Sequence, residues 1–269
     1  MKSIIKTILL SSGALLALAS CDHVEGEDRY RPYEPEIVET DKYLLIEEFT
    51  GMRCVNCPRG AETVHSITEA LDGKVVAVCI HPEGHVFTEP LGGLDLTCSA
   101  STEIYNYYHP NFPAAVFDGG RANTNTARWS GVAVQAFQQP TPLNISVTNT
   151  YDASSRKVKA HYTVTFLEDY VGELCVTAYL TEDNIIGEQE SLNGVHFSDY
   201  SHNHVLRGAL SGVWGDKIGD AFVAGQRIEG DYEYTLKEGW VADNCNVVVF
   251  AGISRGTVYN AYQSGVTAR

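Results

Sequence analysis

The chain has 269 residues, with 19 Lys and Arg against 34 Asp and Glu and a net charge of −15 when histidine is neutral. That acidic surplus excludes nucleic acid, which needs a basic footprint, and broad contact with an anionic membrane surface. It serves solubility instead.

Residues 1–21 read as a targeting segment. Lys2 and Lys6 give the positive start, and Thr7 to Leu18 is a mostly apolar run. The run is too short for a spanning helix, which needs about 20 apolar residues. Leu18-Ala19-Ser20-Cys21 then matches a bacterial lipobox, whose cysteine becomes the first mature residue and carries lipid. An ordinary secretory cleavage site is the alternative. Acyl chains contribute roughly 0.8 kcal/mol per buried CH₂, so several on Cys21 would anchor the protein stably. Residues 22–41 read as a tether. They carry Asp22, Glu25, Glu27 and Asp28, are broken by Pro32 and Pro35, and show no apolar period.

The next segment carries the chemistry. Tyr43 to Phe49 is an apolar strand pattern, and a helical pattern runs from Cys57 to Leu71 with Asp72-Gly73 as its stop. Between them lies Cys54-Val55-Asn56-Cys57. A Cys-x-x-Cys at a strand-to-helix junction suits a redox dithiol, because the free N–H groups at a helix start favour a thiolate on the first sulfur. The alternatives are a zinc knuckle and a plain structural disulfide. Zinc would need a second Cys pair or a His pair, and His81 and His85 are the only candidates nearby.

Further along, Val75 to Ile80 is a continuous β-branched run, as a buried parallel strand should be. Residues 81–101 are irregular. Thr102 to Tyr108 predicts a short helix, Ala114 to Phe117 a strand, and Trp129 to Phe137 a closing helix. Residues 138–142, with Pro140 and Pro142, read as a linker. Beyond it the period becomes two. Leu143 to Val147, Lys157 to Phe166, Glu173 to Leu180 and Val247 to Ile253 predict strands, which fits a sandwich of seven or eight.

Apart from Cys21 there are six cysteines, an even number in an exported chain, which suggests pairing. Cys54 pairs with Cys57. Cys79, in the buried strand run, is either an inert core thiol or a partner for Cys98. Cys175 alternates with an apolar set and so should point outward, within reach of Cys245 only if their strands are neighbours. His202 and His204 form an i, i+2 pair of metal-ligating type, set against an ordinary polar strand edge. No metal or cofactor site is assigned.

These residues carry a resemblance to thioredoxins. Glu48 stands six residues before Cys54, at the offset of the buried thioredoxin acid, and Asn111-Phe112-Pro113 precedes a strand ending in Asp118-Gly119-Gly120, like the cis-proline strand and turn. Pro58 after the dithiol, Arg53 where a tryptophan is usual, and Phe112 before the proline depart from that pattern. With the lipobox, the acidic tether, "EEFTGMRCVNCPRG", "NFPAAVFDGG" and "HNHVLRG", the whole mature chain resembles the outer membrane protein 28 family of Bacteroidetes lipoproteins. The resemblance implies an α/β thioredoxin-like domain over 42–139 followed by an all-β immunoglobulin-like sandwich over 143–269. It also implies an outer-membrane location on the periplasmic or surface face.

Two functions follow as expectations. In the first, the chain is a membrane-tethered thiol–disulfide oxidoreductase acting on protein disulfides. Cys54 attacks, Cys57 resolves, Glu48 takes the proton, Arg53 favours the thiolate and Pro113 shapes the groove. In the second, it is a non-enzymatic surface module, with the cysteine pair as a permanent staple and the sandwich binding a surface ligand.

Overall fold

The computed structural model describes residues 42–267. The leader at 1–21 with Cys21, and the tether at 22–41, lie outside the described residues.

The chain begins with β1 (Leu44–Phe49), α1 (Cys57–Ala70), β2 (Val75–Ile80), α2 (Ser99–Tyr108), β3 (Ala114–Phe117) and α3 (Trp129–Phe137). Every residue of β1, β2 and β3 is buried, so the uninterrupted apolar character of β2 and β3 reflects cover on both faces, and β1 buries Glu47 and Glu48 among apolar neighbours. Pro58 sits in the first turn of α1, where its missing N–H costs nothing. Asp72 and Gly73 turn to positive φ to end the helix, and the Gly73 N–H donates to the Thr68 carbonyl at 2.9 Å.

Ten strands follow: β4 (Leu143–Asp152), β5 (Lys157–Phe166), β6 (Tyr170–Glu182), β7 (Ile185–Glu190), β8 (His196–His202), β9 (Val205–Ala209), β10 (Asp216–Phe222), β11 (Arg227–Thr235), β12 (Cys245–Gly252) and β13 (Val258–Gly265). One sheet runs β13-β12-β6-β9-β2-β1-β3, with β10 also paired to β6. The strands β11-β5-β4 make a second sheet, and β7-β8 form a separate hairpin.

This arrangement corrects the expected fold. The chain does not form an α/β thioredoxin-like domain followed by an immunoglobulin-like sandwich. Strands dominate, and the strands around the cysteine pair belong to the same sheet as those of the C-terminal half. The joint is the parallel pairing of β2 with β9 at Cys79 and Val205, reinforced by a 2.7 Å bond from the Cys79 N–H to the His204 carbonyl.

Alternation along the strands explains the layers. Leu45, Phe49, Val76, Val78, Tyr179, Leu206, Val248 and Phe250 share one core on one face of the large sheet, under α2. On the other face, Leu44, Ile46, Val75 and Ala77 pack against α1 and α3. Farther along that opposite side, Leu174, Val176, Ala178, Leu180, Val247 and Val249 pack against β4 and β5. The β6 side carrying Cys175, Thr177 and Tyr179 is therefore inside, not outward as its polar residues suggested, and all three are buried. Glu47 and Glu48 fall on opposite faces of β1 for the same reason.

Among the described residues, Cys79, Cys98, Cys175 and Cys245 are buried free thiols. Cys98 donates to the Leu206 carbonyl within the core under α2, whereas Cys79 pairs in register with Glu48 on the face toward α1. The two therefore stand on different sides of the sheet. β6 and β12 are neighbours, but Cys175 pairs with Gly252 and Cys245 with Glu182, at opposite ends of the ladder. Seven residues of strand put the two sulfurs roughly 23 Å apart, far beyond disulfide reach.

Candidate functional site

The loop after β1 is held tightly before it enters α1. The Thr50 N–H donates to the Ile80 carbonyl at 3.2 Å and the Arg53 N–H to the Phe87 carbonyl at 3.0 Å. Gly51 is required because a Cβ there would collide with the Phe87 carbonyl. The Cys54 N–H then donates to Gly51 and the Cys57 N–H to Cys54, both at 3.0 Å. These turns bring the two Cα atoms to 5.3 Å, and a disulfide joins Cys54 to Cys57.

Both cysteines are buried, with Cys54 2% and Cys57 1% exposed. The loop is also bonded to a part of the chain that the motif gives no hint of. Gln189, at the end of β7, donates from Nε2 to the carbonyls of Gly51 (3.2 Å), Cys54 (3.3 Å) and Glu190 (2.9 Å). The Glu190 N–H donates to the Met52 carbonyl at 2.8 Å. The β7–β8 hairpin is thus bonded to the disulfide loop, adding second donors to the Gly51 and Cys54 carbonyls and a donor to that of Met52.

Glu48 lies on the α1 face, beneath the helix. A Cβ on Gly60 would stand 2.6 Å from its Oε1 and 3.3 Å from Pro113, so the glycine lets the helix close onto both. Burial pushes the Glu48 carboxyl up to about 8, and a weak donation from the Cys79 thiol at 3.9 Å only partly offsets this. Its Oε1 has no hydrogen-bond partner. At neutral pH Glu48 is a neutral acid. Pro113 follows a cis peptide from Phe112 and stands against the same glycine.

Arg53 is placed differently from its expected role. Its guanidinium reaches away to Glu190 at 3.3 Å and to the Pro90 carbonyl at 3.0 Å, so its charge is spent on the hairpin and not on Cys54. Behind the disulfide loop, His81 and His202 are buried. Burial lowers His81 to about 3 and His202 to about 4, so both are neutral. His204 turns away to Asp183, with Nδ1 at 3.2 Å. The described residues contain no group of three or more side chains arranged to hold a metal ion. No helix among them is long and apolar enough to cross a membrane.

Fold and site together define a β-rich protein with a mixed central sheet and one buried disulfide clasped by a hairpin. The sequence profile of the family described as outer membrane protein Omp28 matches residues 101–268, well over half of the chain. The chain belongs to the outer membrane protein Omp28 family. The family name points to the outer membrane, and so to a role in the cell envelope. None of the curated proteins compared matches the chain. The chain is similar to an Agrobacterium tumefaciens protein solved as a structural-genomics target, with 15% identity and a TM-score of 0.50, covering 86% of this chain and 98% of that one. At that identity the likeness is one of fold alone. The E. coli curli protein CsgC matches over 45% of this chain and 96% of its own, with 9% identity and a TM-score of 0.23. The β-glucosidase 3B of Thermotoga neapolitana matches over 48% of this chain and 16% of its own, with 13% identity and a TM-score of 0.25.

Proposed function

We propose that this protein is a lipid-anchored envelope module whose Cys54–Cys57 disulfide is a permanent fastener. The carrying observation is the burial of both cysteines, with Gln189 of the β7–β8 hairpin bonded to the Cys54 carbonyl. An attacking thiolate needs an accessible sulfur and an incoming disulfide needs a groove beside it. Buried as they are, Cys54 and Cys57 offer neither. Closing so small a ring stabilises the fold by about 2 kcal/mol on the loop-entropy relation. The anchor is Cys21, and Cys21→Ala is expected to move the protein from the membrane to the soluble fraction. Membrane fractionation of that variant with normal processing would contradict it.

Glu48 favours a second reading, that of a thiol–disulfide oxidoreductase. A neutral, buried carboxyl under the disulfide helix is the kind of group that exchanges a proton with a buried thiol. One experiment separates the two readings. In envelopes of the producing organism, Cys57→Ser and Cys54→Ser are expected to trap no mixed disulfides. Selective trapping through Cys54 in the Cys57→Ser variant would establish the oxidoreductase and overturn the fastener.

A further inference from the structure

Two turns at one end of the fold carry exposed apolar side chains that neither reading of the disulfide uses. Leu167 lies on the turn between β5 and β6, Val171 at the start of β6 and Val223 on the turn between β10 and β11. They are 50%, 88% and 61% exposed. The two turns are bonded to each other. The Gly225 N–H donates to the Phe166 carbonyl at 2.8 Å, and the Ala224 N–H donates to Asp169 Oδ1 at 2.9 Å. Beneath them the Phe166 and Phe222 rings stack at 4.2 Å, with Tyr170 beside both. The three apolar side chains thus stand on an aromatic base.

A single exposed valine needs no explanation. Three apolar side chains on adjoining turns do, and their place in the fold supplies one. The Tyr43 N–H donates to Asn260 Oδ1 at 2.9 Å, and Asn260 Nδ2 donates to the Leu143 carbonyl at 3.0 Å. Leu143 pairs in register with Phe166, and the Leu167 N–H donates to the Pro142 carbonyl at 2.8 Å. The chain therefore enters the fold, at Lys42 and Tyr43, at the end that carries the apolar turns. Cys54 and Cys57 follow the other end of β1. Strand β6 runs the same way, from Tyr170 at the turns to Glu182 near the β7–β8 hairpin, roughly 40 Å along the strand.

Charge selects the kind of surface these turns can meet. Glu168 and Asp169 are exposed beside Leu167, which disfavours anionic headgroups. Arg227, just after the second turn, is held by Glu229 at 3.1 Å. A zwitterionic bilayer offers ammonium groups to the two acids and an apolar boundary to Leu167, Val171 and Val223.

We propose that these two turns are a membrane-contact tip, which seats Leu167, Val171 and Val223 about 5–10 Å into the headgroup and acyl boundary of a zwitterionic bilayer. The disulfide and the hairpin then point away from that bilayer. The orientation rests on the lipid-anchor reading, because the anchor joins the fold through Lys42. The tip itself is testable apart from the anchor.

The test is a fluorescent probe at each end of the full-length protein. With Cys21 acylated, Val171→Cys and Ser198→Cys each add one reactive thiol, since Cys54 and Cys57 are joined and the other described cysteines are buried. Each labelled protein is placed in phosphatidylcholine vesicles that carry a nitroxide lipid at the headgroup boundary. Quenching at 171 and none at 198 is expected. Adding Leu167→Ser and Val223→Ser to Val171→Cys should abolish the quenching and leave the circular dichroism unchanged, because both side chains are exposed. Equal quenching at both positions, none at 171, or quenching unchanged by the two serines would each overturn the tip. Mass spectrometry of the Cys21 peptide reads the anchor separately. If Cys21 carries no lipid, both labelled proteins are remade with Cys21→Ala and mixed with excess vesicles. Quenching at 171 alone would then uphold the tip without the anchor, and its absence would overturn the tip as well.

Discussion

Glu47 and Glu48 are adjacent in sequence, both buried, and chemically separate. One faces α2 and an open cavity; the other faces α1 beside Gly60 and Cys79. Burial raises both carboxyls, Glu47 to about 7 and Glu48 to about 8, from an ordinary 4.5. The native chain therefore holds protons that the unfolded chain releases between about pH 4.5 and 8. With more protons on the native state, the contribution of these two carboxyls to stability falls as pH rises through that window, opposite in sign to that of His81 and His202 below about pH 6.5. Glu48→Gln removes one of these penalties. Denaturant unfolding should show the variant level with the wild type at about pH 4 and more stable at about pH 9, by a few kcal/mol. A variant less stable than the wild type at both pH values would show that the Glu48 carboxyl is charged and paired. The two acids were visible in the sequence. Strand alternation separates them, but nothing local shows that both faces of β1 are covered.

At the scale of elements, the disulfide loop and its cover illustrate what local sequence can carry. The strand β1, the helix α1, the strands β2 and β3 and the helix α3 match their expected ranges to within a residue at either end. Their signals are local: a continuous apolar run, a Pro at a helix start, an Asp-Gly stop. The hairpin β7–β8 has no such signal. Its sequence alternates weakly, it pairs only with itself, and its bonds to the disulfide loop span 135 residues or more. Gln189 is an unremarked polar residue until the fold places its amide against three carbonyls. Replacing Gln189 by Ala removes its two bonds to the disulfide loop, whose Gly51 and Cys54 carbonyls keep their backbone donors, a net loss of about 1–3 kcal/mol. If the hairpin protects the disulfide by staying closed, that loss should speed reduction by dithiothreitol about tenfold to a hundredfold. An unchanged rate would mean that the sulfurs are reached by another path.

For the whole molecule, the decisive contacts are long in sequence. Periodicity in the C-terminal half correctly indicates strands, and the prolines at 140 and 142 lie between α3 and β4. What periodicity cannot express is that β9 lies beside β2 and so merges strands from both halves into one sheet. The polar residues Thr177 and Tyr179 on β6 concealed the same fact, because a half-polar face reads as solvent-exposed when it is in fact packed under α2. The proposed fastener rests on the buried disulfide and the hairpin bonded to its loop. The reduction potential of Cys54–Cys57, measured by equilibration of the folded protein against glutathione and dithiothreitol buffers, tests this most directly. A fastener should lie near or below about −300 mV, out of reach of the glutathione pool. A potential between about −120 and −230 mV, where exchanging dithiols operate, would contradict it.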